Sequence, residues 1–481
     1  MEATVLPLLV LLLALALPLF LLIKLAARSS SSSSQPGRKQ RLPPGPWQLP
    51  LIGSLHHLLL SRHGGLAHRA MRDLSRRHGP VMLLRLGAVP TVVVSSAEAA
   101  REVMKAHDAA FASRHLTPTL AVFSVGGRDV LFSPYGDLWR QLRRVCVLEL
   151  LSPRRRVCRA VNDAVVRSAV GGRCARRDEF LRELHRAVVL PSGFNLAGLY
   201  PSSRLVRRLS RALRDAERCN RAVRDIMAGI IRDQQAAGAA GAGDDDNLLA
   251  VLLRLQRDGG AEFPLTTEII STVVLEMFSA GSETSSTTLE WALSELIRNP
   301  RVMRKAQSEV REAFKGRRKL TESDTEKLRY LPLVLKETLR LHVPVPFLLP
   351  RECWEPCRVM GYDVPVGAKV LVNAWAIARD GSYWDKPEEF VPERFEDCEV
   401  DFKGADFEFV PFGAGRRMCP GVAMGLVNME LALAGLLYHF DWELPDGRPG
   451  EELDMEEAFG ITVKRKDKLV LRATPRIPCE Y

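Results

Sequence analysis

Nine of the 481 residues are cysteine (146, 158, 174, 219, 353, 357, 398, 419 and 479), and their spacing makes no disulfide framework. Cys353-x-x-x-Cys357 has no second pair to complete a zinc site. Neither a stapled secreted domain nor a zinc module is therefore indicated, and the pattern suits a reducing compartment. A dinucleotide fingerprint is also missing. The glycines of 238–246 form a low-complexity loop with no strand before them, so they cannot cradle a pyrophosphate in the usual way. With no flavin or nicotinamide site in the chain, any electrons it uses must come from a separate protein. Lysine is absent from 140–232, where 22 arginines stand against 8 acidic residues, and the formal net charge is +11. Solvated helix faces explain most of such an excess; the functional reading is a basic surface for an acidic redox partner and anionic lipid. No nucleic-acid-binding motif accompanies the charge, so no nucleic acid is expected as a partner. After residue 46 there is no polar break long enough to divide the chain.

Charge is missing altogether from Val5–Ile23, an apolar run of 19 residues, long enough for one spanning helix. Pro7 and Pro18 are tolerable in such a helix. Lys24, Arg28, Arg38, Lys39 and Arg41 follow, which predicts that the bulk of the chain faces the cytosol. A cleaved signal peptide is the alternative, but the charges follow the apolar run and no small-residue cleavage site is evident. Ser29–Ser34 and Gln35-Pro36-Gly37 read as a flexible spacer, and Leu42-Pro43-Pro44-Gly45-Pro46 as a stiff one. Val81–Leu86 and Thr91–Val94, split by Gly87 and Pro90, predict a short hairpin. Helical periods dominate from there to residue 330. Val359–Val372 carries short strand signals with turns at Gly361 and Gly367. The fold class expected is mainly α with a minor β region.

The stretch Pro411–Gly421 (PFGAGRRMCPG) places one cysteine, Cys419, among Gly413, Gly415 and Gly421, with Arg416 and Arg417 just before it. Glycines tolerate unusual backbone angles and let a chain pass close to a flat object. An apolar helical run, Val422–Tyr438, follows. Taken alone, a lone cysteine is usually buried and inert. A thiolate in such a loop also suits the single protein ligand of haem iron. The run resembles the haem-binding loop of the cytochrome P-450 family, Phe-Gly-x-Gly-x-Arg-x-Cys-x-Gly, at Phe412, Gly413, Gly415, Arg417, Cys419 and Gly421. Other landmarks follow in the family's order over nearly the whole chain. The resemblance is greatest to the plant clan of microsomal enzymes that oxidise terpenoids and related metabolites. It implies the P-450 fold, haem b with Cys419 as axial thiolate, and a proline hinge at 42–46.

Thr266–Arg298 is the longest helical pattern, with threonines to cap its start and Asn299-Pro300 to end it. Its centre reads Ala280-Gly281-Ser282-Glu283-Thr284. A mid-helix glycine costs about 1 kcal/mol relative to alanine, which asks for a reason. Thr284 can turn its hydroxyl onto the carbonyl of Ala280 and loosen the helix. Gly281 then leaves a groove able to hold dioxygen; a small-residue packing contact is the plainer account. By resemblance, Ala280 and Gly281 lie against the haem, and Glu283 and Thr284 are the acid–alcohol pair that relays protons to bound oxygen.

Haem carries two propionates that need cations. Trp139 and Arg143 lie four apart and share a helix face. They match the family's W-x-x-x-R clamp, and Arg351 and Arg417 match two further propionate contacts. Each arginine alone reads as a surface residue; only the set is informative. Glu337-x-x-Arg340 with Arg394 matches the family's buried charge network and reads as structural. Substrate contacts implied by resemblance are Leu116–Val125, Val274–Ala280, Val343–Leu349 and Phe459–Thr462, mostly apolar.

The resemblance thus implies a monooxygenase inserting one atom of O2 into a hydrophobic small molecule, such as a sesquiterpenoid or diterpenoid. Its partners would be an NADPH-cytochrome reductase and membrane lipid, and its place the endoplasmic reticulum membrane, single-pass, with the catalytic domain cytosolic. The division expected is 5–27 anchor, 28–46 linker and hinge, and 47–481 catalytic domain. Alternatives are a haem-thiolate isomerase or dehydratase, which needs no proton relay, and a non-enzymatic membrane-tethered haem protein. One departure stands out. Cys146–Arg156 and Val161–Val170 look like helices that a further full helix separates in the family, whereas only Val157–Ala160 lies between them here. The expectation is a gap in the scaffold, with an inactive variant as its consequence.

Overall fold

A computed structural model describes residues 40–150, 177–192, 194–239, 248–259, 264–317 and 321–476. The expected anchor, nearly all of the low-complexity loop and the stretch of the expected missing helix lie outside them. The described residues are mainly helical, with only small sheets. The mainly helical class is therefore as expected.

The hairpin forms from β1 (Val81–Leu86) and β2 (Val89–Val94), paired from Val81↔Val94 to Leu86↔Val89. Pro90 does not split it. It lies opposite Arg85 inside β2, with an exposed side chain, while Gly87, at φ 63°, makes the turn. β2 then pairs in parallel with a strand far along the chain, so the hairpin becomes one side of a five-stranded sheet. Its order is β1-β2-β5-β4-β3, where β3 is Ser113–Arg114, β4 Arg351–Glu352 and β5 Lys369–Val372. Arg114 and Arg351 thereby become cross-strand partners.

Five helices position the site. α1 is Asp137–Val145, α2 Thr267–Arg298, α3 Tyr330–Leu341, α4 Val422–His439, and a long helix, 211–239, packs over the cavity side. α2 runs 32 residues, about 48 Å at the usual rise. The hydroxyl of Thr266 accepts the N–H of Ile269 at its start, and Asn299-Pro300 ends it, as its sequence predicts. Its first half packs in one apolar cluster, ending at Phe278, and its last turns in another, beginning at Leu289. Residues 279–288 between them belong to neither cluster. Seven residues of this hydroxyl-rich centre, among them Ser279, Ser285 and Thr288, line the cavity.

α3 is held by a buried charge network. The Arg340 guanidinium donates to both oxygens of Glu337 (2.8 and 2.9 Å) and to the carbonyls of Ala378, Pro387 and Glu389. Arg394 Nε and the Val391 N–H donate to Glu337 Oε1 at 3.0 and 2.9 Å. Arg340 and Glu337 are fully buried, yet nearly every polar atom of the group has a partner, which is the condition under which such a network fixes geometry. α4 is long and apolar enough to cross a membrane. It packs Leu433, Ala434 and Leu437 into the core instead, and its first turns line the cavity beside Cys419.

Candidate active site

The loop that carries Cys419 is tied down by its own backbone. The Cys419 N–H donates to the Phe412 carbonyl (2.9 Å), and Met418 N–H to Gly415 (3.0 Å). Gly413 and Gly415 sit at φ 68° and 69°, in the left-handed region. Their reasons differ. A Cβ on Gly415 would meet the Met104 carbonyl oxygen at 2.0 Å, so this glycine serves a close approach of two backbones and not of a flat object. At Gly413 the nearest atom to such a Cβ is Leu348 Cδ1 at 3.6 Å, and here the turn alone requires glycine. Arg416 is drawn outward by an ion pair with Asp108, whereas Arg417 is buried.

Cys419 is enclosed by the protein but accessible from a cavity of about 380 Å³. Burial pushes its thiol up; the Gly421 N–H and the Arg143 guanidinium pull the other way. A metal ion at the sulfur would deprotonate it outright.

Cations crowd one side of the cavity. Arg114, Arg143, Arg351 and Arg417 all line it. Arg351 donates to the carbonyls of Phe111 and Ala414, Arg143 to Met418 (2.7 Å), and Arg114 to Leu349 (2.7 Å). Arg417 donates to Ala112 and Ser133. Burial lowers all four, and repulsion from the others adds to it at Arg114 and Arg417: Arg114 falls well below its usual value, pressed by Arg351, Arg417 and Arg143. Burial takes Arg351 to about 10, and burial with Arg351 beside it takes Arg417 to about 9. Nη1 of Arg417 and Nε of Arg114 are buried without a hydrogen-bond partner. Such a cluster asks for anions. Arg114 went unnoticed in the sequence, since nothing near it marks it; its pairing with Arg351 across β3 and β4 is the signal. Trp139 lines the same cavity beside Arg143. Its indole N–H donates to the Val130 carbonyl (2.9 Å), so what it offers is a ring face, with Arg417 stacked 4.2 Å and Arg143 5.4 Å from its centroid.

On the opposite wall, α2 brings Ala280, Gly281, Glu283 and Thr284 to the same cavity. The Thr284 hydroxyl donates to the Ala280 carbonyl at 2.7 Å. The helix nevertheless runs unbroken through this turn, so the expected loosening does not interrupt it. A Cβ built on Gly281 meets nothing within 4 Å, so no packing contact explains that glycine; the space beside it belongs to the cavity. Phe412 lines the site and stacks edge-on against Phe402, 5.3 Å between centroids.

The remaining walls are mainly apolar. Leu120, Phe123, Leu275, Val345, Leu348 and Ile461 come from the four expected segments. Phe459 and Phe347, also in those segments, instead pack against each other in the core around β1 and β2. Leu184, Val188 and Val223, on helices with no local signature, were missed.

The family model for cytochrome P450 matches residues 43–171 and 175–471. The chain belongs to the cytochrome P450 family. It is 46% identical over 474 aligned positions to a dolabradiene monooxygenase of Zea mays, covering 91% of this chain and 93% of that one. It is 48% identical over 467 positions to an ent-cassadiene hydroxylase of Oryza sativa subsp. japonica, covering 88% and 90%. A premnaspirodiene oxygenase of Hyoscyamus muticus is 44% identical over 476 positions, covering 92% and 94%. This cytochrome P450 is thus an oxidoreductase of the monooxygenase kind, similar to plant enzymes of terpenoid metabolism, and its family uses haem iron with a cysteine thiolate ligand. The residues present fit that group: an accessible thiol at one wall, and a cationic cluster with two orphaned donors at its side.

Proposed function

We propose that this cytochrome P450 is a membrane-anchored hydroxylase of a sesquiterpenoid or diterpenoid. The observation that carries the reading is the cavity itself, with apolar walls, Cys419 on one side and Thr284 on another. Substrate RH, dioxygen, NADPH and a proton would give ROH, water and NADP+, with the two electrons passing through an NADPH-cytochrome reductase. Haem, when bound, supplies the activation of dioxygen that this insertion needs. Cys419 would hold its iron, and Arg114, Arg143, Arg351 and Arg417 its two carboxylates. Leu120, Phe123, Val345, Leu348 and Ile461 would orient the substrate by shape and exclude water. The Thr284 hydroxyl, a short rotation from the Ala280 carbonyl, would hand a proton into the groove beside Gly281, and Glu283 would replenish it. Their presence favours monooxygenation over isomerisation or dehydration, which need no such relay.

The apolar run 5–23 and the basic residues after it support a single-pass anchor in the endoplasmic reticulum membrane with the catalytic domain cytosolic. We further propose that the scaffold lacks one helix near 157–160. An alignment of 474 positions that uses 91% of a 481-residue chain leaves roughly 36 positions of the Zea mays relative facing no residue here. That is enough for a helix and its loops.

The test is co-expression with a plant reductase and incubation with dolabradiene, ent-cassadiene and premnaspirodiene under isotopically heavy dioxygen. One labelled oxygen atom in a product is the expected result. Haem-loaded protein that yields no oxygenated product from any of them, with reductase and NADPH present, would overturn the substrate class.

A further inference from the structure

Glu283 does not stand free in the cavity wall. Its Oε1 forms an ion pair with Lys464 Nζ and accepts the Thr462 hydroxyl at 3.2 Å. Lys464 opens β7 (Lys464–Arg465), which pairs with β6 (Glu457–Ala458) to make a two-stranded hairpin. The segment 462–465 is also tied to α2 further along: the Trp291 indole donates to the Val463 carbonyl (3.0 Å) and Arg465 Nη1 to Ser294 Oγ (3.2 Å). On its other side the Val463 N–H donates to the Pro344 carbonyl (2.9 Å), just after α3. Ile461 and Thr462, just before, line the cavity that takes the substrate. The side chains of Glu283 and Lys464 are 17% and 32% exposed, so the pair is partly shielded and its geometry is held from both sides.

We infer that Lys464 is a positioning residue for proton delivery, setting the carboxylate of Glu283 toward Thr284 and coupling that setting to the wall touched by substrate. Both contacts fall on Oε1, so Oε2 is the atom through which Glu283 trades a proton with Thr284 or a water. A lysine on a hairpin bound to α2 at Trp291 and Ser294 cannot follow a free rotation of Glu283. A substrate pressing on Ile461–Thr462 moves the same short strand, and with it the anchor of the acid. The inference rests on Glu283 being the acid of the relay.

The test uses the haem-loaded full chain with reductase and NADPH and no added substrate, reading peroxide released per NADPH consumed. Lys464→Met is expected to change that ratio at least twofold, in the same direction as Glu283→Gln, with haem content and the carbon monoxide band unchanged. Lys464→Arg is expected to restore at least half of the difference. Lys464→Met added to Glu283→Gln is expected to change nothing further. Thermal unfolding gives a readout without turnover: the double variant should melt with the lower of the single variants, because one pair is lost only once. A wild-type ratio in Lys464→Met, or losses that add fully in the double variant, would overturn the inference while leaving Glu283 in place. A wild-type ratio in Glu283→Gln would instead remove the relay on which it rests.

Discussion

Replacing Arg114 with methionine should loosen haem more than it loosens the fold. The side chain faces the cavity beside Arg143, Arg351 and Arg417, donates to the Leu349 carbonyl at 2.7 Å, and keeps a buried Nε without a protein partner. Within the protein alone its charge is a liability: burial and three like charges push it well below its usual value. With a propionate present the same charge becomes an asset. A hydrogen bond to a charged group contributes about 1.5–3 kcal/mol. Loss of one such contact should therefore raise the haem dissociation constant by about 10- to 100-fold. The bond to the Leu349 carbonyl is also charge-assisted, but its loss is offset by relief of burying that charge beside three others, so the fold should lose only about 1 kcal/mol. The assay is haem transfer to excess apomyoglobin, followed by absorbance, beside thermal unfolding of the haem-loaded protein. Unchanged haem release together with a lowered unfolding midpoint would refute the reasoning, since Arg114 would then be only a strut for the 349 carbonyl.

Four further outcomes are expected. Cys419→Ala should abolish the red-shifted carbon monoxide band of thiolate-ligated haem; a retained band would remove Cys419 as ligand. Thr284→Ala should keep haem but lower product per NADPH by at least about tenfold, with peroxide made instead, and an unchanged yield would remove it from the relay. Asp129 and Glu276 form a buried carboxyl pair, Asp129 raised to about 6 and Glu276 raised well above its usual value, both chiefly by burial. Groups raised in this way favour the fold below their unfolded values and disfavour it as pH rises through the folded ones. Glu276→Gln, which can still accept the Val130 N–H, should match wild type in unfolding free energy near pH 4 and exceed it by about 1–3 kcal/mol above pH 7; a pH-independent difference would contradict the assignment. Finally, the 481-residue chain should load haem poorly, and a family-like helix inserted after Pro153 should restore loading; full loading and a cooperative melt as it stands would show that helix dispensable.

Much of the fold and part of the site could be read from short spans of sequence. The Thr266 cap and the Asn299-Pro300 stop act within one helical turn, so the bounds of α2 follow from local chemistry. The Cys419 loop is likewise contiguous, and its pattern of glycines and one arginine points to a haem ligand. The Glu337–Arg340 pair is three residues apart on one helix face. What local patterns cannot carry is the partner brought in from elsewhere. Gly415 owes its necessity to the carbonyl of Met104, and Trp139 gives its N–H to the Val130 carbonyl. Arg114 joins the cationic cluster only because β3 pairs with β4, 237 residues later in the chain. Lys464 reaches Glu283 across 181 residues because a hairpin is stitched along α2. Side-chain identity determined which groups could meet; the sheet register and the hairpin's hold on α2 decided which of them do.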